Sequence, residues 1–94
     1  MSRAVRLVIR GRVQGVGYRA WAADTARKFG LVGWVRNRVD GTVEAVASGD
    51  DTAVEQFIAA CRSGPSLAKV TAVETTPANP ADVGGPGFEH WPTV

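Results

Sequence analysis

Two alternating segments joined by Asp40-Gly41 are the feature that most restricts what this chain can fold into. Aspartate followed by glycine suits a tight hairpin, since both tolerate the backbone angles that such turns require. Before the turn, residues 31–38 place Leu31, Gly33, Val35 and Asn37 on one face and Val32, Trp34, Arg36 and Arg38 on the other. After it, residues 42–47 supply the returning strand. A hairpin at this point is incompatible with a doubly wound parallel sheet, which needs crossovers between successive strands.

What surrounds the hairpin completes the order. Residues 4–11 alternate, with Val5, Leu7 and Ile9 opposite Arg6, Val8 and Arg10, which is the pattern of a half-buried strand. A glycine-rich turn over residues 11–17 leads into a predicted helix over 18–29, with Ala22, Ala26 and Phe29 on one side and Gly30 as its stop. A second helix starts near Asp50, Asp51 or Thr52, any of which can cap it, with Thr52 and Glu55 at capping-box spacing. Its stripe is Val54, Phe57, Ile58 and Cys61, and Gly64-Pro65 ends it. A strand over 69–75, a loop over 77–87 with three prolines and three glycines, and a short strand over 88–91 follow. The order is β-α-β-β-α-β with a short fifth strand at the C-terminal end. It predicts an α+β, ferredoxin-like βαββαβ sandwich: an antiparallel sheet with both helices on one face and the other face open.

Ninety-four residues suffice for one core only, so residues 1–94 are expected to form a single domain. One cysteine, Cys61, allows no internal disulfide and points to a reducing compartment. No stretch has the length of a membrane span, and the arginine-broken start lacks the apolar run of a signal peptide, so a cytoplasmic location without membrane contact is expected. The charge is uneven. Residues 1–47 carry nine Arg/Lys against three Asp/Glu, and residues 48–94 carry two against six. An anionic ligand is drawn to the first half.

That half contains GRVQGVGYRA, residues 11–20, between the first strand and the first helix. Three glycines in seven residues allow a tight turn with inward N–H groups, and the helix behind it adds free amides and a positive dipole end. Arg19 brings a planar fork of donors to the same place. Together they suit a phosphoryl group, although such turns also occur merely to reverse a chain. Known phosphate motifs fail here. No lysine follows the turn as a P-loop requires, and Gly15, Gly17 and Ala20 match the dinucleotide fingerprint without the parallel sheet it needs. Cys61-Arg62 lacks the spacing of a cysteine-phosphatase cradle, and Cys61 belongs to the helical stripe.

GRVQGVGYR, GLVGWVRN over 30–37 and DGTVE over 40–44 together resemble the signature of the acylphosphatase family, and the likeness continues through the second helix and AKVTAVE. The resemblance implies a ferredoxin-like enzyme hydrolysing acyl phosphates to a carboxylate and inorganic phosphate. It also implies that Arg19 binds the phosphoryl group, that the backbone amides of Gly15, Val16, Gly17 and Tyr18 complete the cradle, and that Asn37 holds the attacking water. Tyr18 stands where many members carry phenylalanine, and His90 where an apolar residue is expected. The segment GFEHWPTV matches only loosely.

This chemistry suits the residues present. A carboxylate, with a reference pKa of ~4, leaves without a general acid, so a site of positioned donors can suffice. No cofactor and no metal are expected, because the nine acidic residues are scattered and the single histidine, read as a surface or strand residue, stands apart from them. The expected partner is a small acyl phosphate, and a monomer is expected. A rival reading is an RNA-binding module using Arg6, Arg10, Arg36, Arg38 and Trp34 on the open face, but the second hairpin strand has no aromatic and Glu44 interrupts the arginines. A non-catalytic accessory module is a third reading, against which Arg19 and Asn37 both stand.

Overall fold

A computed structural model of the chain describes residues 2–94. Five strands and two helices follow in the expected order. They are β1 (Ser2–Arg12), α1 (Tyr18–Lys28), β2 (Val32–Asn37), β3 (Val43–Asp50), α2 (Asp51–Ser63), β4 (Lys69–Pro77) and β5 (Phe88–His90), with a single turn of 3-10 helix at Pro80–Asp82. The sheet order is β4-β1-β3-β2-β5. β1 lies between β3 and β4 and is antiparallel to both. β2 and β3 form the hairpin around Asp40-Gly41, in register from Asn37 opposite Val43 to Val32 opposite Ser48.

The alternation in β1 sorts its residues as the sequence predicts. Val5, Leu7 and Ile9 are buried against the helices, together with Val35, Ala45 and Ala47 from the neighbouring strands. Ala22, Ala23 and Ala26 of α1 and Val54, Phe57, Ile58 and Cys61 of α2 close this core. Asp50 caps α2, its carboxylate accepting from the Thr52 N–H at 3.2 Å, which satisfies one of the donors that a helix start leaves open. At the other end of α1, Arg27 and Lys28 lie where the dipole favours cations.

Two expectations need correction. β5 exists, but it runs parallel to β2, pairing Gly33 with Phe88 and Val35 with His90, so the sheet is mixed at that edge. The face opposite the helices is also not open over β2. The loop after β4 folds back across it, and Trp34 is only 3% exposed, packed with Val46 and Val83 in a second, smaller cluster. The Trp34 indole N–H donates to the Asp82 carbonyl at 2.7 Å. Trp91 stacks on Trp34 with ring centroids 4.3 Å apart and planes 8° from parallel. A tryptophan left on a bare sheet would expose a large apolar area, and the proline-rich loop removes that area from water.

This arrangement withdraws the features the RNA reading needed. The expected stacking platform, Trp34, is beneath Trp91. Arg6 and Arg36 both bind the carboxylate of Glu44, Arg36 at 2.8 Å, and Arg10 pairs with Glu74 at 3.2 Å.

Candidate active site

Val13, the residue after β1, is buried, and the chain then turns through Gly15 at φ +73° and Gly17 at φ +79° into α1. Gly17 is the residue that precedes the helix, and it offers no side chain to cap it. A Cβ at either glycine would meet nothing within 4 Å. Conformation, not crowding, is what calls for glycine here, since other residues visit this left-handed region only at a cost. Between the two glycines, Val16 turns its side chain onto the main core.

The turn is held from one side by a side chain that sequence reasoning did not single out. The Gln14 amide donates to the Arg38 carbonyl at 2.7 Å and to the Thr42 carbonyl at 2.9 Å. Both acceptors belong to the β2–β3 hairpin, immediately beyond Asn37. The glutamine lies inside the motif block, and the signal that could have found it was the need to tie a mobile glycine turn to something rigid.

A cleft of about 180 Å³ opens between the turn, the first turn of α1 and the ends of β2 and β5. Its lining includes Gly15, Gly17, Tyr18, Arg19, Asn37 and His90. Gly15, Gly17, Tyr18, Arg19 and Asn37, predicted from the sequence, therefore meet in one place, although they lie on three different segments of the chain. Asn37 reaches it because the alternation of β2 turns Asn37 to the helix side, as it does Val35. Cys61 does not line the cleft. It is fully buried, and burial pushes its thiol up to about 12, so it is a core residue.

Charge is distributed unusually here. The half-buried arginines Arg3, Arg6, Arg36 and Arg38 each lie within ion-pair distance of a carboxylate. Arg19, also half-buried, has no carboxylate or other hydrogen-bond partner among the described residues. No Asp or Glu lines the cleft. A guanidinium partly removed from water and left without a counter-charge carries a desolvation cost that a bound anion would relieve. Tyr18, beside it, is buried, and its pKa is raised by that burial, so the phenol is neutral. Its hydroxyl points away from the cleft to the Cys61 carbonyl at 2.7 Å.

His90 is the exposed strand residue that sequence reasoning expected, with one addition from the structure. It is at the cleft wall, whereas its position in a loosely matching C-terminal segment gave no sign of this. Only the parallel pairing of β5 with β2 brings it there. Elsewhere, no group of three or more His, Cys, Asp or Glu side chains that could hold a metal ion occurs among the described residues. No helix among them is long and apolar enough to cross a membrane.

Fold and cleft together define a class of protein: an α+β sandwich whose glycine-rich strand-to-helix turn and unpaired arginine suit an oxyanion. The acylphosphatase family model matches residues 5–89. An acylphosphatase of Azorhizobium caulinodans is 54% identical over 94 residues, covering all of both chains. One of Acidiphilium cryptum is 55% identical over 86 residues, covering 90% of this chain and 91% of its own. The crystal structure of acylphosphatase from Bacillus subtilis superposes with a TM-score of 0.88 at 37% identity, covering 97% of this chain and 99% of that one. The chain belongs to the acylphosphatase family, and it is accordingly an enzyme, a hydrolase of acyl phosphates.

Proposed function

We propose that the cleft hydrolyses a small acyl phosphate by direct attack of water on phosphorus, with Arg19 and Asn37 as the working side chains and no metal ion. The observation that supports this best is the half-buried Arg19, without a partner among the described residues, sharing a cleft that no carboxylate lines with Asn37. In this reading the guanidinium and the amides of Gly15, Val16, Gly17 and Tyr18 hold the equatorial phosphoryl oxygens. Positioned donors of this kind stabilise the charge of phosphoryl transfer without reorganising during the step.

Asn37 has no useful basicity. Its amide oxygen accepts a hydrogen bond from water, and its NH₂ can donate to phosphate, which fixes an in-line approach. The water oxygen forms the new bond to phosphorus while the bond from phosphorus to the acyl oxygen breaks. The carboxylate leaves as an anion, with no acid required, and the water's proton passes to a phosphoryl oxygen. The protein works as a single-domain monomer in the cytoplasm, where its one buried thiol stays reduced.

The test is hydrolysis of benzoyl phosphate in the presence of a chelator, comparing wild type with Arg19→Ala and Asn37→Ala. Wild type is expected to be fully active, Arg19→Ala to lose both phosphate binding and turnover, and Asn37→Ala to lose mainly kcat, by a factor of ~10² or more. Full activity in both variants, or activity abolished by the chelator, would overturn the reading.

A further inference from the structure

Strand geometry, and not motif, puts His90 in the cleft. Phe88 of β5 is buried on the helix side, in edge contact with Phe57 at 5.9 Å between ring centroids. His90, two residues on, therefore faces the same side. It pairs in parallel with Val35, and Asn37 lies two residues further along β2 on that same face. Parallel strands direct both ends to the same edge of the sheet, where α1 brings Arg19. His90 is exposed, and its imidazole makes no hydrogen bond or ion pair with any described residue.

We propose that His90 is a second anion-binding side chain of this cleft, joining Arg19 on the phosphoryl group when the imidazole is protonated. The proposal rests on the cleft being a phosphoryl site and adds to it a pH-dependent affinity. The charged groups around His90 support this. From α1, Arg19 lines the same cleft, and Arg27 donates to the Phe88 carbonyl at 2.6 Å while pairing with Asp24 at 3.3 Å. From β2, the face toward His90 carries only the uncharged Val35 and Asn37. Glu89 and Arg36 belong to the opposite face by strand alternation. No carboxylate lines the cleft to hold the imidazolium. A bound dianion faces both cations at once. Anion binding and proton binding then favour each other by the same factor.

Sulfate is a clean probe, because it keeps its double charge across the range in which histidine titrates. The chain has a single histidine, so its ring-proton NMR resonance is assigned without ambiguity. Saturating sulfate is expected to move the His90 titration midpoint up by about 0.5 or more, equivalent to a ~3-fold preference for the protonated form. Sulfate affinity should accordingly rise ~3-fold more in wild type than in His90→Gln as pH falls through that range. A midpoint unmoved by sulfate that binds wild type and not Arg19→Ala would overturn the role of His90 alone. Sulfate that fails to bind wild type, or binds Arg19→Ala equally well, would overturn the phosphoryl cleft and the His90 proposal with it.

Discussion

The Tyr18 hydroxyl donates a 2.7 Å hydrogen bond to the Cys61 carbonyl, tying the first residue of α1 to the last turn of α2. That carbonyl has no ordinary helical donor, because the residue four positions on is Pro65, which lacks an N–H. A phenylalanine at position 18 would fill the same space and leave the carbonyl buried and unpaired. The Tyr18 hydroxyl therefore has a specific structural consequence: it anchors the helix start that carries Arg19.

Tyr18→Phe is expected to lower stability by about 1–3 kcal/mol, the cost of an orphaned buried acceptor. Urea denaturation of both proteins measures this. A loss below ~0.5 kcal/mol would mean that water serves the carbonyl instead.

Gln14→Ala should leave the fold intact and lower kcat/KM by about tenfold. The amide bridges the glycine turn to the carbonyls of Arg38 and Thr42, next to Asn37, and its removal loosens the distance between the two halves of the site. Steady-state kinetics with benzoyl phosphate check the effect. Gln14→Glu, which cannot donate to these carbonyls, should behave no better than alanine.

Gly17→Ala tests whether backbone angle or space matters in the turn. A methyl group at Gly17 meets nothing within 4 Å, yet its φ is +79°. The cost is then ~1–2 kcal/mol of conformational strain, which the turn can relieve by moving its N–H groups away from the cleft. Activity is expected to fall further than stability, with phosphate binding weakened ~10-fold. Unchanged phosphate affinity would show that the turn's amides do not bind it.

Alkaline pH should destabilise the protein through Cys61. Its folded pKa is raised by burial to about 12, above the ~8.5 of an exposed thiol. The folded form therefore holds its proton in a range where the unfolded form has lost it. The stabilising contribution is complete below ~8.5 and declines as pH rises toward 12. Tyr18, raised in the same direction, adds to the decline above ~10. Thermal melts from pH 7 to 11 should show a falling Tm, less steep in Cys61→Ala. The native thiol should resist iodoacetamide at pH 8 and react on unfolding.

Much of the molecule is readable from local pattern because local pattern reports burial. Val5, Leu7 and Ile9 alternate since one face of β1 is covered, and Val54, Phe57, Ile58 and Cys61 recur at helical spacing since α2 covers it. Arg19 and Asn37 were legible as candidates for another reason: they stand in blocks whose residue types suit an oxyanion and which resemble a family signature, and both line the cleft. Trp34 was harder. A tryptophan on the nominally solvent side of a strand reads as an exposed aromatic, and its cover comes from Val83 and Trp91, about fifty residues away in sequence.

By itself, then, the order of amino acids determined the element sequence, the hairpin, the helix faces and the residues of the glycine turn, since each depends on neighbours within a few positions. Tertiary structure alone decided that β5 runs parallel beside β2, that Trp91 closes over Trp34, that Tyr18 serves Cys61 and that His90 lines the same cleft as Asn37. These are contacts between segments far apart along the chain, chosen by whichever packing leaves the least apolar surface and the fewest unpaired polar groups. No local period records that choice.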